Sequence, residues 1–214
     1  HSLLSITGKT TPQPLIKNNI VCLYNGEIYN YRDYGDYDSD GEAIIDAYIE
    51  HGEHFPRYLD GEFALILYDP SKCVLIMATD AFRTKPIYYS LEGNDFGCSS
   101  YMSPLEEAGH KNIKTLPANT IKVIYTSEFA SPPTTSVVDF NLEQKNNSFD
   151  GWINAFEEAV RKRTKNCREK IFIGLSSGYD SGAIYNELIR QNTPFKAYSV
   201  RGDEDDETID KRKK

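Results

Sequence analysis

The sequence predicts an α+β domain with antiparallel sheets, followed by the opening βαβ unit of an α/β domain. Short strand-like runs joined by tight turns fill residues 1–126, and this pattern is typical of antiparallel sheets. Residues 127–148 are rich in Ser, Thr, Pro and Asn without periodicity, which predicts a linker. In residues 149–214 a helical pattern is followed by strand, helix and strand, and this order predicts parallel pairing. We therefore predict two domains of different architecture.

Composition and charge narrow the class of protein. The 214 residues carry a formal net charge of −8 with a pI near 5.1, which argues against a nucleic acid or a membrane surface as the main partner. No apolar run reaches membrane-spanning length. The four cysteines lack C-x-x-C spacing and the four histidines are scattered, so no zinc site is expected. Cysteine usage of this kind predicts a cytoplasmic location.

Local patterns assign the elements of the first domain. Residues 20–24 form a β-rich run that is predicted to end at Asn25-Gly26, because this pair is a common turn signal. Apolar residues recur at helical spacing over residues 40–51, and Gly52 is the predicted stop. Further strands are predicted at residues 62–68, 73–79, 87–90, 96–99 and 120–125.

The most informative motif follows the first predicted strand of the second domain. Residues 175–181 have the sequence L-S-S-G-Y-D-S between an apolar run and an amphipathic helix pattern. In this layout, backbone N–H groups and the positive end of the helix converge on an anion. The order S-x-G-x-D-S lacks the G-K-[ST] ending of a Walker loop. It is similar to the pyrophosphate loop of enzymes that split ATP into AMP and pyrophosphate.

Four motifs precede that loop. Residues 25–30 have the sequence N-G-E-I-Y-N and residues 39–42 have S-D-G-E, followed by Y-L-D-G-E-F-A at 58–64. Asp80 then precedes K-P-I-Y-Y at 85–89 and is expected to be scaffold rather than chemistry. In this order the motifs resemble the glutamine-dependent asparagine synthetases. In that family a class II glutaminase domain, which is Ntn-hydrolase-like, precedes an ATP-pyrophosphatase domain related to adenine-nucleotide α-hydrolases.

The resemblance implies a glutamine site in the first domain, whose first strand is expected to be missing here. Loss of ammonia from glutamine passes through an oxyanion that needs preorganised donors, and the Asn25 amide and the Gly26 N–H are the matching pair. Asp40 matches the carboxylate that binds the α-ammonium of glutamine, with Glu27 assisting, and a helix-cap role for Asp40 is compatible. The nucleophile of the family is an N-terminal cysteine whose own amine is the base. It is not in the chain, and Cys22, inside a strand, is not expected to replace it.

In the second domain the resemblance implies ATP and Mg²⁺ as cofactors. The carboxylate of aspartate attacks the α-phosphate to give an aspartyl-adenylate, pyrophosphate leaves, and ammonia displaces AMP. Asp180 is the matching Mg²⁺ ligand. A serine at position 177 replaces a glycine that is usual in the family, and it would be strained if the position needed a positive φ. The ATP-binding residues that the resemblance implies are Leu175, Ser176, Ser177, Gly178, Asp180, Ser181 and Val200.

The predicted function is ATP-dependent conversion of aspartate to asparagine with ammonia from glutamine. A related ligase that closes a lactam or amidates another carboxylate is an alternative, because the acceptor pocket lies beyond Lys214. The other alternative is a homologue that has lost catalysis and serves as a binding or structural component. This last alternative is favoured by the absent nucleophile, by Ser177 and by Leu3, since the family usually has an arginine at the position of Leu3 for the substrate carboxylate. The expected partners are glutamine, aspartate and ATP, and a homodimer is compatible with the sequence.

Overall fold

The computed structural model describes residues 11–93, 95–128, 130–165, 167, 170–200 and 206–212. The chain divides into two compact units, and among the described residues the division falls between Leu142 and Glu143. It therefore lies inside the predicted linker, whose first part belongs with the first unit. Thr135 pairs with Ile121 in an isolated bridge, and Val137 is buried in the core of the first unit.

Eight strands and two α-helices form the described part of the first unit. The strands are β1 (Leu15–Lys17), β2 (Ile20–Ile28), β3 (Gly61–Asp69), β4 (Val74–Thr79), β5 (Tyr88–Glu92), β6 (Asp95–Ser99), β7 (Lys114–Thr115) and β8 (Thr120–Tyr125). The helices are α1 (Ala43–His51) and α2 (Ser103–Glu107), and 3-10 helices lie at Tyr31–Asp33, Asp40–Glu42 and Gly52–Tyr58.

Two antiparallel sheets result. One has the order β1-β2-β3-β4-β8 and the other the order β6-β5-β7. One face of the larger sheet packs on α1 through Ile44 and Tyr48, and the other face contributes Ala64 and Met77 to a second apolar cluster with Ile87 of the loop before β5. Every residue of β4 is buried, because this strand is covered on both faces. The expected α+β domain with antiparallel sheets is confirmed.

The prediction that the strand ends at Asn25-Gly26 is wrong, because β2 continues to Ile28. Asn25 pairs with Ala64 of β3 and Gly26 pairs with Phe63 in unbroken antiparallel register. Gly26 has a φ of +148° within the strand, a conformation that suits glycine. The pair therefore shapes the strand and does not end it.

Helix α1 follows the predicted apolar spacing. Its start is preceded by the 3-10 helix Asp40–Glu42, so the regular helix begins later than predicted. Gly52 at its end has a φ of +61° and a ψ of −145°, a conformation that is open to glycine and rarely to other residues. The predicted stop is confirmed.

The second unit contains α3 (Asp150–Thr164), β9 (Ile171–Gly174), α4 (Tyr179–Arg190), β10 (Phe195–Tyr198) and α5 (Asp206–Arg212). β9 and β10 pair in parallel with α4 between them, which confirms the βαβ unit. The apolar stripe of α3 is largely exposed, with Trp152 at 64% and only Val160 buried. A two-stranded sheet offers too little surface to bury that stripe. Among the described residues, no helix is both long and apolar enough to cross a membrane.

Candidate functional site

The predicted oxyanion donors lie in the second half of β2, past the end of its pairing with β1 at Cys22. The Gln13 side chain continues that pairing, since it accepts a hydrogen bond from the Tyr24 N–H and donates one to the Tyr24 carbonyl, both at 2.8 Å. Backbone hydrogen bonds alternate between the two edges of an antiparallel strand. The Gly26 N–H therefore points to the same edge as the N–H groups of Tyr24 and Ile28, away from β3.

Asp40 reaches this edge from the start of the helical segment. Its Oδ2 accepts a hydrogen bond from the Ile28 N–H at 2.7 Å, and its Oδ1 accepts one from the Tyr24 hydroxyl at 3.0 Å. Asp40 is only 1% exposed. Burial raises the pKa of its carboxyl, and the two hydrogen bonds act in the opposite direction. The N-cap of this segment is Ser39, so Asp40 is left to bind the edge of β2.

Asn25 lies on the other face of β2. Side chains alternate along a strand, so Asn25 is on the face of Leu23, and both line a cleft of about 530 Å³ with Gln13 and Cys98. A cleft of this size accommodates a small-molecule ligand. The Asn25 amide, the Gly26 N–H and the Asp40 carboxylate thus surround one stretch of strand edge.

Glu27, the fourth predicted glutamine-binding residue, is half-buried opposite Glu62 of β3. The Glu27 carboxylate contributes to raising the pKa of Tyr24, so it lies close enough to this residue to act electrostatically. The sheet fixes its backbone tightly, because a Cβ on Gly61 would lie 2.3 Å from the Glu27 carbonyl oxygen.

Tyr24 is the site residue that sequence reasoning missed. Its ring packs on Gly41, where a Cβ would lie only 2.1 Å from a ring carbon. Burial raises the pKa of the phenol, so the hydroxyl remains a hydrogen-bond donor at neutral pH. The alternation of β2 places Tyr24 on the face of Gly26, and this signal is visible in the sequence. The contact with Asp40, however, depends on the fold bringing the helical segment to the strand.

The surroundings of the cysteines decide whether one of them can act as the nucleophile. Leu3 is the position where the family usually has an arginine for the substrate carboxylate. Cys22 is fully buried in β2, and burial raises the pKa of its thiol, so it is a poor nucleophile, as expected. Cys98 faces the cleft with a pKa raised to about 11 by burial. Leu3 lies outside the described residues.

Asp80 organises the loop that follows β4. Its carboxylate accepts hydrogen bonds from the backbone N–H groups of Phe63, Phe82 and Thr84 at 3.1, 2.8 and 3.0 Å, and from the Thr84 hydroxyl at 3.2 Å. The side chain is buried and its oxygens are occupied by this loop and by β3. The expectation that it serves as scaffold is consistent with these contacts.

The predicted pyrophosphate loop joins β9 to α4 and is closed by Ser181. The Ser181 hydroxyl accepts a hydrogen bond from the Ser176 N–H at 3.1 Å and lies 2.9 Å from the Ser176 hydroxyl. Gly178 is the N-cap of α4, and Asp180 is exposed in the first turn of this helix. Ser177 has no positive φ, so the serine causes no such strain. The loop presents a helix N-terminus, hydroxyl groups and one carboxylate.

Leu175 and Val200 lie beyond the carboxyl ends of the two parallel strands, as predicted. The Leu175 N–H donates a hydrogen bond to the Tyr198 carbonyl at 2.8 Å, and the Ser199 hydroxyl donates one to the Leu175 carbonyl at 2.7 Å. Leu175 is buried, whereas Val200 is 85% exposed. The described residues contain no group of three or more His, Cys, Asp or Glu side chains that could hold a metal ion.

The antiparallel fold and the Asn25-Gly26 strand edge agree with the resemblance that the sequence motifs indicate. The chain belongs to the glutamine amidotransferase family, because the family described as a glutamine amidotransferase domain matches residues 1–144. The matched range ends close to the division between the compact units.

Curated relatives extend the match into the second unit. The chain is 29% identical to putative asparagine synthetase (glutamine-hydrolyzing) 1 of Methanocaldococcus jannaschii, over 86% of this chain and 39% of that protein. It is 30% identical to asparagine synthetase (glutamine-hydrolyzing) 2 of Arabidopsis thaliana, over 89% of this chain and 35% of that protein. The chain thus spans little more than a third of the length of these relatives.

A solved structure supports the fold. The structure described as the allosteric regulatory enzyme of purine biosynthesis is similar at a TM-score of 0.50 with 12% identity, over 96% of this chain and 53% of that chain. At this identity the likeness concerns the fold alone.

Proposed function

We propose that the protein takes part in glutamine-dependent synthesis of asparagine from aspartate and ATP. The observation that carries the proposal is the strand edge at Gly26, which has the Asn25 amide and the buried Asp40 carboxylate beside it in a chain of the glutamine amidotransferase family. The named activity of its asparagine synthetase relatives supports the choice of acceptor.

In the glutamine half-reaction, the side-chain amide of glutamine lies at the strand edge. The Asn25 amide and the Gly26 N–H donate hydrogen bonds to the oxyanion that forms as ammonia leaves, and the rigid pairing of β2 with β3 keeps the Gly26 donor in place. Asp40 binds the α-ammonium, which supplies the buried carboxylate with a cation. The nucleophile that the resemblance implies for this half-reaction is an N-terminal cysteine whose own amine is the base.

In the synthetase half-reaction, the loop at residues 175–181 binds the pyrophosphate part of ATP. The residues fit this anion, because α4 spans 12 residues with its N-terminus at the loop and the hydroxyl groups of Ser176 and Ser181 lie beside it. Asp180 is the carboxylate that would hold Mg²⁺, which when bound would neutralise charge on the phosphates. Leu175 and Val200 flank the adenine at the carboxyl ends of β9 and β10.

The glutamine site is tested by Asn25→Ala in the full-length protein. Removal of one oxyanion donor is expected to lower the kcat of glutamine hydrolysis by about 10²-fold to 10³-fold, with a small effect on KM. Asn112→Ala, at an exposed asparagine of the same unit, is the matched control and is expected to leave both constants unchanged. An Asn25→Ala variant with the kcat of the wild type would refute the assignment.

The synthetase site is tested by ATP–pyrophosphate exchange that depends on aspartate and Mg²⁺. We expect Asp180→Ala to abolish the exchange and Asp150→Ala to leave it intact, since Asp150 is likewise exposed in the first turn of a helix of the second unit. Exchange that persists in Asp180→Ala would remove the proposed role of the loop. Exchange supported by another carboxylic acid in place of aspartate would favour a related ligase.

We also propose a cytoplasmic location and keep the homodimer as a prediction. Cys22, Cys73 and Cys98 are free thiols, which suits a reducing compartment. Cell fractionation tests the location, and light scattering on the purified protein tests the dimer.

A further inference from the structure

We infer that the Tyr24 side chain controls the access of the α-ammonium group of glutamine to Asp40, and we call it the gate of the glutamine site. Its hydroxyl occupies the place on Asp40 where the α-ammonium of glutamine binds, and it leaves that place when glutamine arrives. The inference rests on the proposed glutamine site and adds to it a residue that decides which ligands enter.

The first argument is the burial of Asp40. The residue is 1% exposed, and each carboxylate oxygen already accepts a hydrogen bond, from Tyr24 on one side and from the Ile28 N–H on the other. An ammonium group must approach an oxygen to within hydrogen-bond distance to form an ion pair. Each oxygen has a second lone pair, but at 1% exposure an ammonium group can reach it only if a group that covers Asp40 moves.

The second argument is that only one of these donors is free to move. The Ile28 N–H belongs to the backbone of β2, which is held by the pairing of Ile28 with Gly61. The Tyr24 hydroxyl is at the end of a side chain with two rotatable bonds, and Tyr24 is only partly buried. The donor that gives way is therefore the phenol.

The third argument is the position of the ring. The Tyr24 ring rests on Gly41, where there is no side chain, and Tyr24 also lines the cleft of about 530 Å³ that Asn25 faces. The ring thus covers the carboxylate on the face of β2 opposite the Asn25 side chain. Rotation away from Gly41 would uncover Asp40.

The charges around the pair decide which ligand can make the exchange. Two acidic residues, Glu27 on β2 and Asp40, act electrostatically on the Tyr24 phenol. Glu42 is the next acidic residue in the 3-10 helix that begins at Asp40. A cationic donor gains more from these carboxylates than a neutral hydroxyl does. An ammonium group can therefore displace the phenol, whereas a ligand without one leaves the gate shut.

Tyr24→Phe tests the inference because it keeps the ring on Gly41 and removes only the hydroxyl. Binding is measured by calorimetry with L-glutamine and with glutaramate, the same molecule without the α-amino group. We expect Tyr24→Phe to bind L-glutamine about tenfold more tightly than the wild type, since one hydrogen bond to a charged group no longer competes. Glutaramate affinity should be unchanged. Tyr34→Phe, which removes a hydroxyl that donates to the Tyr58 carbonyl, is the control and should change neither value.

The outcomes separate the gate from the glutamine site. Equal or weaker L-glutamine binding by Tyr24→Phe overturns the gate, since the hydroxyl would then be neutral or would help to hold Asp40 for the ligand. Equal tightening for L-glutamine and glutaramate overturns it as well. Asp40→Asn examines the site itself: L-glutamine binding that does not weaken in this variant overturns the assignment of Asp40, whatever Tyr24→Phe does.

Discussion

The backbone carbonyl oxygen of Glu62 lies 1.9 Å from the point that a Cβ atom on Gly26 would occupy. One pair further along, the Glu27 carbonyl oxygen is 2.3 Å from the corresponding point on Gly61. Both distances are far below any van der Waals contact, so β2 and β3 keep their register at the candidate site only with glycine at both positions. Close backbone packing thereby fixes the Gly26 N–H that the proposed reaction uses.

Gly26→Ala should be strongly destabilising for this reason. We expect a loss of about 3 kcal/mol or more in the free energy of unfolding, from the contact with Glu62 and from the φ of +148°. Urea denaturation of the two proteins measures it. L-glutamine binding should be lost in the same variant, because the strand edge has to shift.

A second glycine separates the two causes of this loss of stability, which are the contact with Glu62 and the positive φ. Gly93 also has a positive φ, of +61°, but a Cβ there would meet nothing within 4 Å. Gly93→Ala should therefore cost only about 1 kcal/mol, the price of the backbone conformation alone. Equal losses in the two variants would show that the contact with Glu62 contributes nothing.

Asp40→Asn should change how stability depends on pH. Burial raises the pKa of the Asp40 carboxyl above its ordinary value of 3.8, so the folded protein holds this proton more tightly than the unfolded chain does. Ionisation of Asp40 therefore costs stability as the pH rises from 3.8 through the raised pKa of the folded state. The asparagine of the variant does not titrate, so this contribution to the pH dependence is absent from Asp40→Asn.

The measurement is urea denaturation of wild type and Asp40→Asn at a series of pH values from 3.5 upward, roughly to pH 7, the range over which carboxyl groups titrate. The free energy of unfolding of the wild type minus that of the variant should fall as the pH rises, and become constant once Asp40 is fully ionised. A difference that grows with pH would mean that the hydrogen bonds from Tyr24 and Ile28 outweigh burial.

Sequence patterns predicted the helix that ends at Gly52, strand β8 and the parallel βαβ unit, because periodicity and turn residues are local properties. They misplaced the end of β2, because the same Asn-Gly pair that turns a hairpin can also continue a strand when a neighbouring carbonyl needs the space. Trp152 on the apolar stripe of α3 is exposed, since such a stripe indicates which face can be buried and not whether a partner covers it.

The candidate site residues were predicted one by one from the sequence, but their arrangement in space was not. Asn25, Gly26 and Asp40 came from motifs, while the bond between Tyr24 and Asp40 joins residues 16 positions apart in sequence. Such a contact arises when the start of a helical segment packs on a strand edge. No local pattern specifies that approach, although the glycine at position 41, on which the ring packs, is one trace of it.

Asp80→Ala should destabilise the first unit without a direct effect on either proposed site. The buried carboxylate accepts four hydrogen bonds from β3 and from the loop after β4, and its removal leaves those donors without an acceptor. We expect a loss of about 3 kcal/mol in urea denaturation. Glu106→Ala, at an exposed position on α2, should change stability by less than about 0.5 kcal/mol. A loss for Asp80→Ala no larger than that of the control would contradict the scaffold role.

Ser181→Ala should loosen the loop between β9 and α4 while leaving the βαβ unit folded. The Ser181 hydroxyl is the acceptor for the Ser176 N–H and also donates toward the carbonyls of Ser176 and Gly178, so its loss frees one end of the loop from the helix. Amide hydrogen exchange at Ser176 should speed up by about tenfold, which corresponds to one hydrogen bond. Exchange at the Leu175 N–H, which is held by the Tyr198 carbonyl, should not change. Because the closed loop is what places the hydroxyl groups at the N-terminus of α4, pyrophosphate should also bind more weakly to this variant. If exchange at Ser176 stays slow, the loop is held by other contacts, and Ser181 is free to act on the phosphates alone.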